Sequence, residues 1–90
     1  MTKLDEYRVE IDEIDREIVQ LFEKRMKTVL KVASYKKENG MEVLQSNREE
    51  VVLQKAVDNL KDKKYKDDIK EVFELLMRLS RNSQKKELGL

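Results

Sequence analysis

Cysteine, histidine and proline are all missing from this chain, and glycine occurs only twice, at Gly40 and Gly89. Without thiols there is neither a disulfide scaffold nor a cysteine nucleophile. Without imidazole as well, an ordinary zinc site and histidine general-base chemistry fall away. With the usual breakers so scarce, helix is the expected state almost everywhere. The opening Met1-Thr2-Lys3-Leu4-Asp5-Glu6 lacks the apolar run of a signal peptide, and nothing later is long and apolar enough to span a bilayer. A soluble protein of the cytoplasm, without a membrane partner, is expected. A surplus of one charge is also missing: 20 basic and 19 acidic residues leave a formal net charge of +1. That balance argues against a nucleic-acid partner, which calls for a basic face.

What is present is charge, at 43% of the residues, laid over a helical period. Ninety residues make one domain at most, here taken as 1–90. The first segment is expected from about Leu4 to Asn39, closed by Asn39-Gly40. Leu4, Ile11, Ile18 and Val32 hold one seam position of a heptad, and Tyr7, Ile14, Leu21 and Tyr35 hold the other. Such a helix is roughly 54 Å long, whereas a compact globule of this length is roughly 32 Å across, with a radius of gyration of roughly 12 Å. The helix overshoots its own domain, so a second chain is expected to cover it. A second helix is expected from Ser46, with Glu49 three residues on as a capping box, through Val52, Leu53, Ala56 and Leu60. A third is expected from about Tyr65 to Glu87, turning Ile69, Val72, Phe73, Leu76 and Leu79 inward, with Lys85–Leu90 fraying. The fold class is all-α: three helices, the first very long, in a homodimer.

Polar residues interrupt these apolar stripes. Arg25 occupies the seam position of Leu4, Ile11, Ile18 and Val32, while Arg8 and Lys36 share the flanking position with Phe22 and Val29. On the third helix the row through Phe73 and Met77 (with Leu76 beside it) continues into Ser80 and Gln84, and on the second Glu49 leads into the apolar face at Leu53. A buried cation requires an anion, and these stripes hold too few acids to neutralise three. The pattern therefore points to a positively charged pocket for a small anion. Each residue also has a plainer reading. A basic side chain beside a stripe commonly snorkels to water, Ser80 and Gln84 are ordinary polar positions near a helix end, Glu49 is the capping partner of Ser46, and a heptad alone describes a non-enzymatic helical dimerisation module.

Taken in order, the segments Leu4–Asp15, Leu21-Phe22-Glu23-Lys24-Arg25, Val32-Ala33-Ser34-Tyr35-Lys36, Asn47-Arg48-Glu49 and Ser80-Arg81-Asn82-Ser83-Gln84 resemble the all-helical class of chorismate mutase across almost the whole chain. The resemblance implies an intertwined homodimer and the rearrangement of chorismate to prephenate, on the route to phenylalanine and tyrosine, with no metal or cofactor. It implies that Arg25 and the partner chain's Arg8 clamp the substrate carboxylates with help from Ser80. It further implies that Lys36 and Gln84 donate to the ether oxygen, that Glu49 accepts from the ring hydroxyl, and that Arg48 orders the site. Gln45 stands at a substrate-binding loop position where members of that class often carry aspartate. An isochorismate pyruvate-lyase on the same fold is the nearest alternative activity, with Arg48-Glu49 favouring the mutase.

Overall fold

A computed structural model describes residues 2–90 of the protein. Three α-helices occur in the order α1 (Lys3–Glu38), α2 (Ser46–Asp58) and α3 (Lys66–Glu87), with one turn of 3-10 helix, Lys63–Tyr65, leading into α3. Among the described residues there is no strand. Thr2 starts α1 through a capping box: its hydroxyl accepts from the Asp5 amide at 3.1 Å, and Asp5 Oδ2 accepts from the Thr2 amide at 3.2 Å. Two orphan amides of the first turn are thereby satisfied. The two glycines end α1 and α3 in the same way. Gly40 (φ 62°) and Gly89 (φ 72°) take the left-handed conformation. The amides of Met41 and Leu90 then reach back to the carbonyls of Lys36 and Lys85, each at 2.8 Å, closing a Schellman motif. Leu88–Leu90 are therefore folded back on α3 rather than frayed.

α2 departs from expectation at both ends. Gln45, not Ser46, is its N-cap, and no side chain caps it. Ser46 already lies inside the helix, and the Glu49 carboxylate is drawn instead to Arg81 of α3. A charged guanidinium outcompetes a backbone amide for a carboxylate, so the capping box does not form. The helix stops at Asp58, short of Leu60, because Lys63 folds back: its ammonium donates to the carbonyls of Val57 (2.7 Å) and Leu60 (2.8 Å), taking up carbonyls left free at the helix end.

α3 packs against both α1 and α2, in the same sense as α1. Ile18 and Leu21 lie near Val72 and Leu76, Phe22 and Met26 near Leu79 and Ser83, and Glu38 near Glu87. Only from Arg25 onward does α1 shelter side chains. Ala33 and Lys36 are its buried residues, Arg25, Met26, Val29 and Leu30 are half-buried, and everything from Thr2 to Lys24 is exposed. Both seam rows lie open, from Val32 at 42% to Leu21 at 64% exposure, and Val72 of α3, expected inside, is exposed beside them. The molecule is 56 Å long with a radius of gyration of 16.4 Å, against roughly 12 Å for a compact chain of this length. α1 does overshoot, and the apolar groove of 480 Å³ formed by Ile18, Leu21, Phe22, Val72, Phe73 and Leu76 is of the kind that marks a binding surface.

Candidate active site

At the end where the three helices meet, three of the seven buried residues are polar: Lys36, Ser80 and Gln84, alongside Ala33, Ala56, Val57 and Met77. Lys36, Met77, Ser80 and Gln84 border a cavity of 180 Å³ whose lining also includes Arg25, Gln45, Arg48, Glu49 and Arg81, with Val29, Val32 and Val52 as further apolar walls. α1 supplies Arg25 and Lys36, eleven residues apart and so three turns along one face. α3 supplies Met77, Ser80, Arg81 and Gln84, an i, i+3, i+4, i+7 row. The start of α2 supplies Arg48 and Glu49, with Gln45 just before it.

The hydrogen bonds fix most of these groups. Arg25 Nη1 donates to Ser80 Oγ at 2.6 Å, and Ser80 in turn donates its only proton to the Leu76 carbonyl at 2.7 Å. Ser80 thus orients the guanidinium and neutralises none of its charge. Lys36 Nζ donates to the Val43 carbonyl (2.7 Å) and to Gln84 Oε1 (3.0 Å). An ammonium has three protons, so one remains for a ligand. With the Gln84 carbonyl oxygen held on Lys36, its NH₂ is turned elsewhere. No buried side-chain nitrogen or oxygen among the described residues lacks a partner, so this NH₂ reaches the open space of the cavity. Gln45 Nε2 is tied to the Glu42 carbonyl at 2.8 Å, which braces the loop before α2. Arg81 Nη1 grips both oxygens of Glu49, at 2.5 and 2.6 Å.

The electrostatics are lopsided. Four cations, Arg25, Lys36, Arg48 and Arg81, line the cavity with one carboxylate, Glu49, already engaged. Burial, reinforced by the like charge of Arg48, lowers the pKa of Arg25. Burial also lowers that of Lys36, and Glu49 partly offsets the effect. Both shifts carry the sign expected for cations held without enough anion, a deficit that an anionic ligand would remove.

Seven of the eight residues singled out in the sequence therefore share one cavity; the eighth, Arg8, does not. It lies exposed on the same unbroken helix as Arg25, seventeen residues away, or roughly 26 Å, and cannot reach the cavity of its own chain. Arg81 was not singled out, although its place in the row with Met77, Ser80 and Gln84 is visible in the sequence.

Residues 7–85 match the family described as chorismate mutase type II. The bifunctional chorismate mutase/prephenate dehydratase of Buchnera aphidicola subsp. Schizaphis graminum is 36% identical over 84 residues, covering 92% of this chain and 22% of that protein. The T-protein of Haemophilus influenzae is 41% identical over 54 residues, covering 60% of this chain and 14% of that protein. This chain spans less than a quarter of the length of either relative. No solved structure matches it significantly.

Proposed function

We propose that this chain, which belongs to the chorismate mutase type II family, rearranges chorismate to prephenate in the synthesis of phenylalanine and tyrosine. The observation that carries the proposal is the small cavity with four cations, one engaged carboxylate and two unspent donors side by side on Lys36 and Gln84. At 180 Å³ it lies below the roughly 300–1,000 Å³ usual for drug-sized ligands, which suits a compact dianion.

The rearrangement is pericyclic: within one molecule a C–O bond breaks as a C–C bond forms. No nucleophile takes part, in keeping with a chain that has neither cysteine nor histidine. What a protein can contribute is a folded substrate conformation and stabilisation of the negative charge that grows on the ether oxygen. Arg25, steadied by Ser80, grips one carboxylate through the donors it has left, the planar fork suiting bidentate contact. The free proton of Lys36 and the NH₂ of Gln84 converge on the ether oxygen. Glu49 accepts from the ring hydroxyl, while Arg48 and Gln45 order the rim. Arg81 is taken by Glu49 and Arg48 lies exposed at the rim, so the second carboxylate falls to the partner chain's Arg8.

This reading takes the protein as a homodimer of one helical domain, residues 1–90, with the partner's α1 laid over the exposed seam and the adjoining groove. The bare seam and the distance of Arg8 from its own Arg25 both support it. A cytoplasmic location belongs to the same proposal, and cell fractionation tests it. The cavity speaks against a purely structural dimerisation module, which needs no such pocket. Incubation of the purified protein with chorismate, and separately with isochorismate, tests the activity. Loss of chorismate with matching formation of prephenate is expected; release of pyruvate from isochorismate alone would move the assignment to the lyase.

A further inference from the structure

The roles proposed above leave Arg81 unused, yet its bond to Glu49 is the only ion pair between two helices among the described residues. Glu49 is the single carboxylate in a cavity of four cations, on a side chain long enough to choose among them. Swung toward Lys36, whose charge it already influences, it would take the ammonium proton that no other group uses. Swung toward the exposed Arg48, it would leave the cavity for the rim. It does neither. Both its oxygens rest on Nη1 of Arg81, and each partner is about three-quarters buried, with side-chain exposures of 28% and 24%. The contact joins α3 to the first turn of α2 and leaves carboxylate lone pairs free to accept from a ligand.

We infer that Arg81 is a positioning residue that anchors the Glu49 carboxylate, so that Glu49 meets the ring hydroxyl of the substrate and leaves Lys36 free for the ether oxygen. This assignment rests on the activity proposed above. It makes Arg81 a determinant of the preference for a hydroxylated ring, acting through Glu49 and not by touching the substrate.

The test compares chorismate with its analogue lacking the ring hydroxyl, using the full chain and the variants Arg81→Met, Arg81→Lys, Glu49→Gln and Arg81→Met/Glu49→Gln. For chorismate, Arg81→Met is expected to lower kcat/KM by about tenfold, the order typical of groups that orient a functional ligand. The analogue should lose less than about twofold, since its reaction does not use the anchored acceptor. Arg81→Lys, which keeps the charge on a more flexible stem without the planar guanidinium, should fall between, and it carries the same two-substrate comparison if Arg81→Met does not fold. In the Glu49→Gln background, Arg81→Met should cost nothing further. A mere staple between helices would instead slow both substrates alike. Equal losses on the two substrates, an additive loss in the Glu49→Gln background, or no loss on chorismate would each overturn the assignment while leaving the activity standing. A wild-type protein that turns over neither compound would overturn the activity and the assignment together.

Discussion

From Leu4 to Leu21, α1 turns Leu4, Tyr7, Ile11, Ile14, Ile18 and Leu21 to solvent, each more than half exposed, whereas from Arg25 to Lys36 the same helix shelters a guanidinium and an ammonium. The usual relation of polarity to burial is inverted at both ends. Two different needs account for this. Apolar side chains repeated every three and four residues gain nothing from water and are suited to another apolar face. Buried cations gain nothing from a core and are suited to a ligand of opposite charge. On the proposed reading, one helix carries an assembly surface and part of a site, in series.

The largest effects are expected where the apolar half is broken. With a second chain over the seam, two-fold symmetry doubles every substitution, so Ile11→Asp with Ile18→Asp places four carboxylates in one interface. Loss of the folded protein is expected, read as collapse of the helical circular dichroism signal. The wild type should sediment at twice its chain mass of 10.8 kDa, with no folded monomer on dilution. A helical, monomeric double variant would break the comparison, because the apolar half would then be idle.

Next in size is the link between the halves. Arg8→Ala and Arg25→Ala homodimers should each be nearly inactive, since every site lacks one arm of the clamp. Unfolded together at equal concentration and refolded, the two chains should pair at random, giving about half mixed dimers. Each mixed dimer holds one complete site and one lacking both arginines, so activity should return to about a quarter of the wild-type value per chain. If both arginines served one site from the same chain, mixing would restore nothing.

Smaller, and confined to the polar half, is the effect of Gln84. Its NH₂ faces the cavity because its carbonyl oxygen is held by Lys36. Gln84→Ala should lower kcat by about 10²–10³-fold with less change in KM, the pattern of a donor used mainly in the transition state. Gln84→Glu should work only where the side chain is a carboxylic acid and still has a proton to donate, so its activity should rise as the pH falls. Full activity of that variant at neutral pH would remove Gln84 from the donor pair.

The same division explains what the sequence makes legible. The heptad rows, Gly40 as the stop of α1 and the excess length of α1 are local or periodic signals, and the structure follows them. The cavity-lining row of α3 is periodic too, and Arg81 stands in it openly. It escapes notice because an arginine on a charged helix is read as solvated until its partner on α2 is known. Ser46 and Glu49 mislead for a related reason: the capping spacing is present, but a tertiary competitor, Arg81, takes the carboxylate. Thr2 and Asp5 form a capping box of their own, with aspartate where glutamate or glutamine is the usual signal. Lys63, within a run of charges, closes α2 through contacts that only the folded chain displays. Arg8 is the limiting case: on the proposed reading, what it meets lies in another chain.

The smallest expected effect concerns Lys36, where the needs of the site and of the fold oppose each other. Burial lowers its pKa, and Glu49 only partly restores it; Arg25, Arg48 and Arg81 line the same cavity. In the folded, empty site Lys36 therefore gives up its proton at a lower pH than a lysine of the unfolded chain. Between that lowered value and the ordinary lysine range the unfolded chain binds more protons, so stability rises with pH across this window. Over the same window the ammonium donor disappears, so kcat/KM, which reports on the free enzyme, should fall. Stability and activity are thus expected to move in opposite directions. Thermal midpoints of the wild type and of Lys36→Met, measured across the alkaline range, isolate the contribution of this one group. Their difference should shift in favour of the wild type as the pH rises through the window and stay level below it. A difference that ignored pH throughout would mean that Lys36 is not held at a cost in the empty site, and the inversion drawn between the two halves of α1 would lose its polar side.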